Sequence, residues 1–233
     1  QKKIKDRLVK ILLSKKERIL VKMPTGSGKT RTSIEALIDY WRFNSDPDDI
    51  LVWLANQEEL CEQANEAFEN FWSIRGDRNF NIYKFWGNHK IRPDEIKQGG
   101  IFIAGFDKFH SARIKPTTES ATLVNNVRNR ARLVLIDEAH MSMAPTYKET
   151  IDFLCKPNFT KIIGLTATPF RSDIRESYDL SDYFHKNIIT LTNENGKDIE
   201  DPMLFLQEQN YLSKVTRKVI KSDEDINFTK AQL

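Results

Sequence analysis

Cysteine is scarce in this sequence. The two cysteines, Cys61 and Cys155, are far apart, and their spacing matches no metal-binding motif. We expect both to be reduced, partly buried thiols, which is typical of a cytoplasmic protein. Long hydrophobic runs are also missing, because none approaches the roughly 20 residues that a helix needs to cross a bilayer. The lysine-rich start is not followed by the apolar segment of a signal peptide, so the sequence predicts no membrane association.

A strong excess of charge of one sign is absent as well. Lysine and arginine number 36 against 33 aspartate and glutamate residues, which leaves a formal net charge of +3. So small an excess does not by itself indicate a nucleic-acid partner, and any basic surface must be local. The hydrophobic content of 39%, with 14 phenylalanines and 4 tryptophans, is sufficient for a packed core. With 233 residues, the chain is long enough for one large domain or two small ones.

One glycine-containing stretch carries the strongest functional signal. Residues 23–30 read M-P-T-G-S-G-K-T, after the apolar run 19–21 and before residues with helical spacing. A glycine turn between a strand and a helix is the context in which a loop binds phosphate. The glycines allow the backbone amides to point inward, and the first helical turn adds free N–H groups and the positive end of its dipole. The residues predicted to bind nucleotide are Thr25, Gly26, Ser27, Gly28, Lys29 and Thr30.

Two side chains of this loop have predicted roles in a nucleotide site. Lys29 is expected to reach the β- and γ-phosphates, and the Thr30 hydroxyl is expected to take one coordination position of Mg²⁺. The strict phosphate-loop pattern has glycine where this chain has Met23. The alternative is an ordinary Gly/Ser turn with a solvated lysine, and the strand–turn–helix context argues against it.

Short apolar runs alternate with longer stretches of helical spacing along the chain. The runs predict buried strands at residues 50–54, 101–104, 133–136 and 162–165, with a weaker strand at 80–85. Helices are predicted over residues 2–13, after the phosphate loop, after a cap at Asn56, around 122–130, from Pro145, over 174–184 and over 203–210. This alternation is typical of an α/β fold, with a mostly parallel sheet covered by helices on both faces. Such sheets bind ligands at the carboxyl ends of their strands.

A pair of acids follows the most apolar of these strands. Residues 133–136 run directly into the tetrapeptide D-E-A-H, which begins with Asp137 and Glu138. Nucleotide hydrolysis needs one carboxylate to hold the metal and a second group to orient the attacking water. We therefore assign Asp137 to Mg²⁺ and Glu138 to the water. The alternative is that the tetrapeptide simply begins a polar loop.

Three motifs together resemble the first RecA-like domain of a superfamily 2 DEAD/DEAH-box helicase or translocase. They are M-P-T-G-S-G-K-T, D-E-A-H and G-L-T-A-T-P-F-R, in the family's order and spacing, and the match covers residues 1–171. Residues 205–215 resemble the segment that closes this domain in the restriction-enzyme-like subgroup. The resemblance implies a RecA-like P-loop NTPase fold, ATP and Mg²⁺ as ligands, a Walker A role for the phosphate loop, and catalytic roles for Lys29, Asp137 and Glu138.

The resemblance also implies residues that contact nucleic acid. Asn56 and Gln57 belong to a segment similar to motif Ia, where groups after a strand hold nucleic-acid phosphates, and a helix N-terminus suits that role. Gly105 and Lys108 belong to a segment similar to motif Ib, although Gly105 replaces the hydroxyl residue often found there. The alternatives are that Asn56 only caps a structural helix and that Lys108 is a solvated lysine.

Two threonines, which we expect to lie within reach of His140, match the family's coupling motif. Thr166 and Thr168 match motif III, which in the family links the state of the phosphates to domain closure, and both hydroxyls are expected within reach of His140. The alternative is two threonines whose hydroxyl groups only form hydrogen bonds within a turn.

Gln1 lies where the family often has a glutamine that reads the edge of adenine.

One element of the family pattern is missing from the chain. The arginine signature Q-x-x-G-R-x-x-R of the second domain occurs nowhere in the sequence. The resemblance therefore implies that residues 1–212 form the first RecA-like, ATP-binding domain and that residues 213–233 lead toward a second such domain in a longer chain. The predicted function is the motor domain of an ATP-dependent helicase or translocase, with DNA favoured over RNA. The alternative is an ATP-dependent clamp or sensor that does not unwind nucleic acid.

Overall fold

The computed structural model describes residues 1–167, 174–193, 195–199 and 201–213 of the chain. Its strands within these ranges are β1 (Arg18–Lys22), β2 (Ile50–Ala55), β3 (Asn81–Phe85), β4 (Gly100–Gly105), β5 (Ala131–Ile136), β6 (Lys161–Thr166) and β7 (Ile188–Ile189). They form one seven-stranded sheet in the order β3-β4-β2-β5-β6-β1-β7, and every pairing between them is parallel. The predicted α/β fold with a mostly parallel sheet is therefore confirmed.

Helices connect the strands. They are α1 (Lys2–Leu12), α2 (Lys29–Asn44), α3 (Glu58–Arg75), α4 (Phe106–Ile114), α5 (Thr118–Arg130), α6 (Pro145–Leu154), α7 (Ile174–Tyr183) and α8 (Pro202–Glu208). Short 3₁₀ turns cover Pro93–Glu95 and Ala139–Met143. None of the helices in these ranges combines the length and the apolar character that crossing a bilayer requires.

Both faces of the sheet are covered, which explains why the strands are apolar throughout. Trp53, Leu135 and Ile163 pack into one buried cluster with residues of α1, α2 and α3. The residue that precedes each of them in its strand packs into a second cluster with residues of α4, α5 and α6. Successive side chains of a strand point to opposite faces, so a continuous apolar run is what a sheet buried on both faces needs.

Several predicted elements differ in detail from the structure. Helix α5 begins at Thr118, earlier than predicted, because the Thr117 hydroxyl accepts a hydrogen bond from the Ser120 backbone N–H at 3.1 Å and caps the helix. Helix α4 has no counterpart among the predictions. The predicted cap at Asn56 is wrong, because the N-cap of α3 is Gln57 and its side chain makes no capping hydrogen bond. The sequence also predicts a strand over residues 187–191, and in the structure this strand is limited to Ile188–Ile189.

The order of the strands brings three predicted motifs to one edge of the sheet. Strand β6 lies between β5 and β1. The phosphate loop follows β1, the two acids follow β5, and Thr166 ends β6. Because parallel strands all end at the same edge, these three segments are neighbours in space although the phosphate loop is more than a hundred residues from the other two in sequence.

The C-terminal part of the described chain adds one short strand to the sheet beside β1 and ends in a helix. Strand β7 pairs with β1 through Leu20 and Val21, and Thr192 forms an antiparallel bridge with Asp198. Helix α8 then begins at Pro202 and is capped by Asp201. Nearly all of the predicted lead-out, from residue 214 onward, lies outside the described residues.

Candidate active site

The phosphate loop has the curled backbone that the sequence predicts. Gly26 and Gly28 have φ values of +75° and +83°, in the left-handed region where glycine is favoured. Gly28 is the N-cap of α2, so Lys29 and Thr30 occupy the first helical turn with its free N–H groups. The Ser27 hydroxyl donates to the Pro24 carbonyl at 2.6 Å, which closes the turn on itself. Thr25 and Gly26 are exposed, and Thr30 is half-buried.

Gln1 lies against this loop. Its side-chain amide nitrogen donates a hydrogen bond to the Ser27 carbonyl at 2.9 Å. A Cβ atom built on Gly28 would lie 2.5 Å from the same nitrogen, which a flexible glutamine side chain can move to relieve, so it is the positive φ that favours glycine there. The structure therefore places Gln1 beside the phosphate loop, as the sequence predicts.

The acids sit at the end of β5, and the second of them has an unusual backbone conformation. The Asp137 N–H donates to the Leu54 carbonyl of β2 at 2.9 Å, which holds this residue in line with the sheet. Glu138 has a φ of +50°, a left-handed conformation that is uncommon for a residue with a side chain. Its N–H donates to the Asp137 carboxylate at 3.0 Å. Backbone strain of this kind is concentrated at functional sites.

Lys29 connects the loop to both acids. Its ammonium nitrogen lies 3.0 Å from Glu138 Oε1 and 3.6 Å from Asp137 Oδ1. Asp137 is only 7% exposed, and this burial raises the pKa of its carboxyl group, while the Lys29 ammonium acts in the opposite direction. The three residues predicted to be catalytic are therefore in direct contact, and the space between the two carboxylates is one that attracts a cation.

A second chain of contacts runs from Glu138 to β6. Glu138 Oε2 lies 3.2 Å from His140 Nδ1, and the same nitrogen lies 3.5 Å from the Thr166 hydroxyl, a long contact. Thr166 is buried, and its carbonyl accepts a hydrogen bond from the Met23 N–H at the start of the phosphate loop. His140 and Thr166 are thus brought together with the acids, whereas Thr168 lies outside the described residues.

The four residues predicted to contact nucleic acid line a separate cavity. Asn56, Gln57, Gly105 and Lys108 surround a volume of about 470 Å³ at the carboxyl ends of β2 and β4. The Asn56 side-chain oxygen is buried and has no hydrogen-bond partner within the described chain. A Cβ atom on Gly105 would meet Trp86 at an ordinary contact distance of 3.4 Å, so this position has room for a methyl group.

The ammonium of Lys108 is already occupied in this structure. It donates to the backbone carbonyls of Gly87, at 2.7 Å, of Trp86, at 3.4 Å, and of His89. Partial burial lowers the pKa of Lys108. An ammonium has three donors, so Lys108 ties the loop after β3 to α4. This role was not among the alternatives predicted from the sequence, because no local pattern marks which carbonyls a lysine will reach.

We predict that Lys108→Met destabilises the chain by roughly 1–2 kcal/mol, because three carbonyls lose a charged donor. Urea unfolding followed by circular dichroism measures the change, and Lys115→Met, at an exposed lysine just after α4, serves as the matched control. If Lys108 serves mainly as a phosphate contact, the variant should instead keep its stability and lose DNA affinity.

The chain is similar to one protein family and to several curated proteins. Residues 1–171 match the family described as "Type III restriction enzyme, res subunit". Among curated proteins, the chain is 27% identical over 191 residues to the ATP-dependent DNA helicase fml1 of Schizosaccharomyces pombe, a match that covers 78% of this chain and 21% of the relative. It is 26% identical to the ATP-dependent DNA helicase MPH1 of Coccidioides immitis, covering 78% of this chain and 17% of that protein. The chain thus spans about a fifth of the length of these relatives.

Solved structures show the same fold at low sequence identity. The helicase domain of Hef from Pyrococcus furiosus superposes with a TM-score of 0.57 at 18% identity, over 78% of this chain and 36% of that one. The DUF1998 helicase MrfA, in a structure bound to DNA and AMPPNP, gives a TM-score of 0.59 at 19% identity, over 83% of this chain and 27% of that one. The family match covers most of the chain. The chain therefore belongs to the type III restriction enzyme res subunit family and has the RecA-like fold of the first domain of a superfamily 2 helicase.

Proposed function

We propose that this chain is the ATP-binding motor domain of a longer ATP-dependent DNA helicase or translocase. The single observation that supports this most strongly is the position of Lys29, whose ammonium lies within 3.0 Å of Glu138 and 3.6 Å of Asp137. A loop that binds triphosphate and a pair of acids at the adjacent strand end together form the minimal apparatus for nucleotide hydrolysis. The curated relatives carry the name of ATP-dependent DNA helicases, which supports the same activity here.

The residues present fit a nucleotide and Mg²⁺. In the proposed site, Thr25, Gly26, Ser27, Gly28, Lys29 and Thr30 hold the phosphates, while Gln1 contacts the base. Among the described residues, no group of three or more His, Cys, Asp or Glu could hold a metal on its own. Mg²⁺ does not need such a group, because it binds through one or two carboxylates together with substrate phosphates and water. The Thr30 hydroxyl and the Asp137 carboxylate supply that donor set. The Lys29 ammonium, which lies beside both carboxylates, supports a preference for positive charge at this place.

The chain's own groups then have distinct tasks in the reaction. Bound Mg²⁺ supplies charge neutralisation at the phosphates. Glu138 orients the attacking water and accepts its proton, and its left-handed backbone holds its carboxylate beside Lys29. Lys29 must leave Glu138 to reach the phosphates, so Glu138 and the phosphates compete for its ammonium group. This change is passed to β6, and from there to domain closure, by His140, Thr166 and Thr168.

The proposed substrate is DNA. Asn56, Gln57 and Gly105 line the cavity at the ends of β2 and β4. Lys108 contributes to this surface by fixing the loop that forms its rim, and a direct phosphate contact from Lys108 would require that loop to release it. The relatives' names specify DNA, which favours DNA over RNA for this chain.

The proposal also includes a second RecA-like domain in the same longer protein. Residues 1–212 would form the first domain, and residues 213–233 would lead toward the second, which supplies the arginines that stabilise the transferred phosphoryl group. The isolated chain should therefore bind nucleotide weakly and hydrolyse it slowly. Both cysteines are free thiols, which suits the cytoplasm as the proposed location.

Strand displacement by the longer protein tests this function. ATP hydrolysis should be stimulated by DNA, and a labelled strand or a bound triplex should be displaced only when ATP is present. If DNA stimulates hydrolysis but nothing is displaced, the protein is a clamp or sensor rather than a motor. If hydrolysis is absent with every nucleic acid, the proposed function is wrong.

A further inference from the structure

A cavity of about 450 Å³ lies beside the phosphate loop, separate from the cavity assigned to DNA. Gln1, Gly26 and Ser27 form one side of it. Side chains from α8 and the turn after it, Phe205, Leu206 and Tyr211 among them, also line it. Small-molecule pockets of this size are lined mainly by apolar and aromatic groups, with a few polar groups that fix orientation. The cavity therefore joins the amide of Gln1 to an apolar wall built by the C-terminal part of the chain.

The turn after α8 is built to return the chain to this cavity. Asn210 has a φ of +57°, a left-handed conformation that ends the helix. The N–H groups of Tyr211 and Leu212 both donate to the Leu206 carbonyl, at 2.8 Å and 3.1 Å. At the other end of the helix, the Asp201 carboxylate accepts the Leu204 N–H at 2.9 Å. Both ends of this short helix are thus fixed by hydrogen bonds.

Direct packing connects the turn to the phosphate loop. A Cβ atom built on Gly26 would lie only 3.1 Å from Leu212 Cδ2, so the leucine side chain is in close contact with the loop backbone. Leu206, which is only 8% exposed, is the buried residue of this segment. Tyr211 also lines the cavity, but it is 76% exposed. An aromatic ring left this open beside a cavity presents a face on which a planar group can stack.

We propose that Phe205, Leu206 and Tyr211 form a wall of the base-binding cavity and that stacking on Tyr211 supplies much of the base-dependent affinity for ATP. This inference rests on the proposed function, because it takes the phosphate loop to hold a triphosphate. The group attached to a triphosphate held there is a nucleoside, and the adjoining cavity is apolar on one side and carries a side-chain amide on the other. The recognised ligand class is thus a planar heterocyclic base.

The test compares a ligand that has a base with one that lacks it. Isothermal titration calorimetry measures the binding of ATP and of inorganic tripolyphosphate, each with Mg²⁺, to the wild-type chain and to Tyr211→Ala and Tyr211→Phe. Stacking of a base on an aromatic side chain is worth about 1–3 kcal/mol, so Tyr211→Ala should weaken ATP binding about tenfold. Tripolyphosphate binding should be unchanged, and Tyr211→Phe should bind ATP like the wild type.

Two controls make the outcome decisive. Tyr178→Ala replaces another exposed tyrosine, on α7, that does not line the cavity, and it should leave both affinities unchanged. Lys29→Ala should weaken both ligands. Unchanged ATP affinity in Tyr211→Ala, or equal weakening of both ligands, overturns the proposed wall while leaving the phosphate site intact. If the wild-type chain binds neither ligand, or if Lys29→Ala has no effect, the proposed function fails and this inference fails with it.

Discussion

Replacing Glu138 by glutamine is expected to lower kcat for DNA-stimulated ATP hydrolysis in the full-length protein by about a hundredfold or more, because a positioned general base contributes a factor of this size. Glutamine has nearly the same shape, so it preserves the packing around the 3₁₀ turn that follows. It removes the charge that orients the water and accepts its proton. Affinity for MgATP should rise rather than fall, since the phosphate loop is unchanged and Lys29 loses the carboxylate that competes with the phosphates for it.

Steady-state ATPase assays and nucleotide-binding titrations measure the two effects separately. Glu66→Gln, at an exposed glutamate of α3, is the matched control and should leave both unchanged. Lys29→Ala should behave differently from Glu138→Gln, since it should weaken MgATP binding as well as abolish turnover. Wild-type turnover in Glu138→Gln would show that another group activates the water and that the role given to this acid is wrong.

Adding a methyl group to β6 by Gly164→Ala is expected to destabilise the chain by about 2–3 kcal/mol, as overpacking of a close-packed core does. A Cβ atom at this position would lie 2.5 Å from Phe184 Cζ and 2.7 Å from the Cβ of Ala139. Phe184 and Ala139 are both fully buried, so neither ring nor methyl group can move without disturbing the core. Ala139 directly follows Glu138, and we expect its displacement to shift the catalytic acid as well.

Urea unfolding measures the stability change, and Gly105→Ala provides the matched control. A Cβ on Gly105 would make only a 3.4 Å contact with Trp86, so this second glycine substitution should change stability by less than about 0.5 kcal/mol. In Gly164→Ala, residual ATPase activity should fall further than the loss of folded protein explains. A variant as stable as the wild type would mean that Phe184 and Ala139 are not packed against Gly164 as these distances indicate.

The geometry of the candidate nucleotide site could be predicted from the sequence because its parts are local patterns. The phosphate loop is marked by glycines whose positive φ values are confirmed at Gly26 and Gly28. The acids follow the most apolar of the predicted strands, which lies at the centre of the sheet. Since the strands are parallel, their carboxyl ends meet at one edge, and the contact of Lys29 with Asp137 and Glu138 follows from that topology.

Other features depended on contacts between distant segments, and the sequence did not reveal them. Nothing near Lys108 indicates that its ammonium will be taken up by the loop after β3. The wall formed by α8 depends on a turn at Asn210 that returns the chain to a loop it left nearly two hundred residues earlier. The Asn56 cap was wrong for a different reason, because the strand before it extends through Ala55 and the helix starts one residue later than the capping pattern indicates.

The central claim is that the phosphate loop and the two acids form one site for a magnesium-bound triphosphate. A crystal structure of the chain with a non-hydrolysable ATP analogue and Mn²⁺, which is located by its anomalous signal, tests this directly. We predict an ion bonded to the Thr30 hydroxyl at about 2.1–2.2 Å, with the Asp137 carboxylate bonded to it or to one of its waters, and with Lys29 moved from Glu138 to the phosphates. An ion bound elsewhere, or Lys29 still paired with Glu138 beside a bound analogue, would contradict the account.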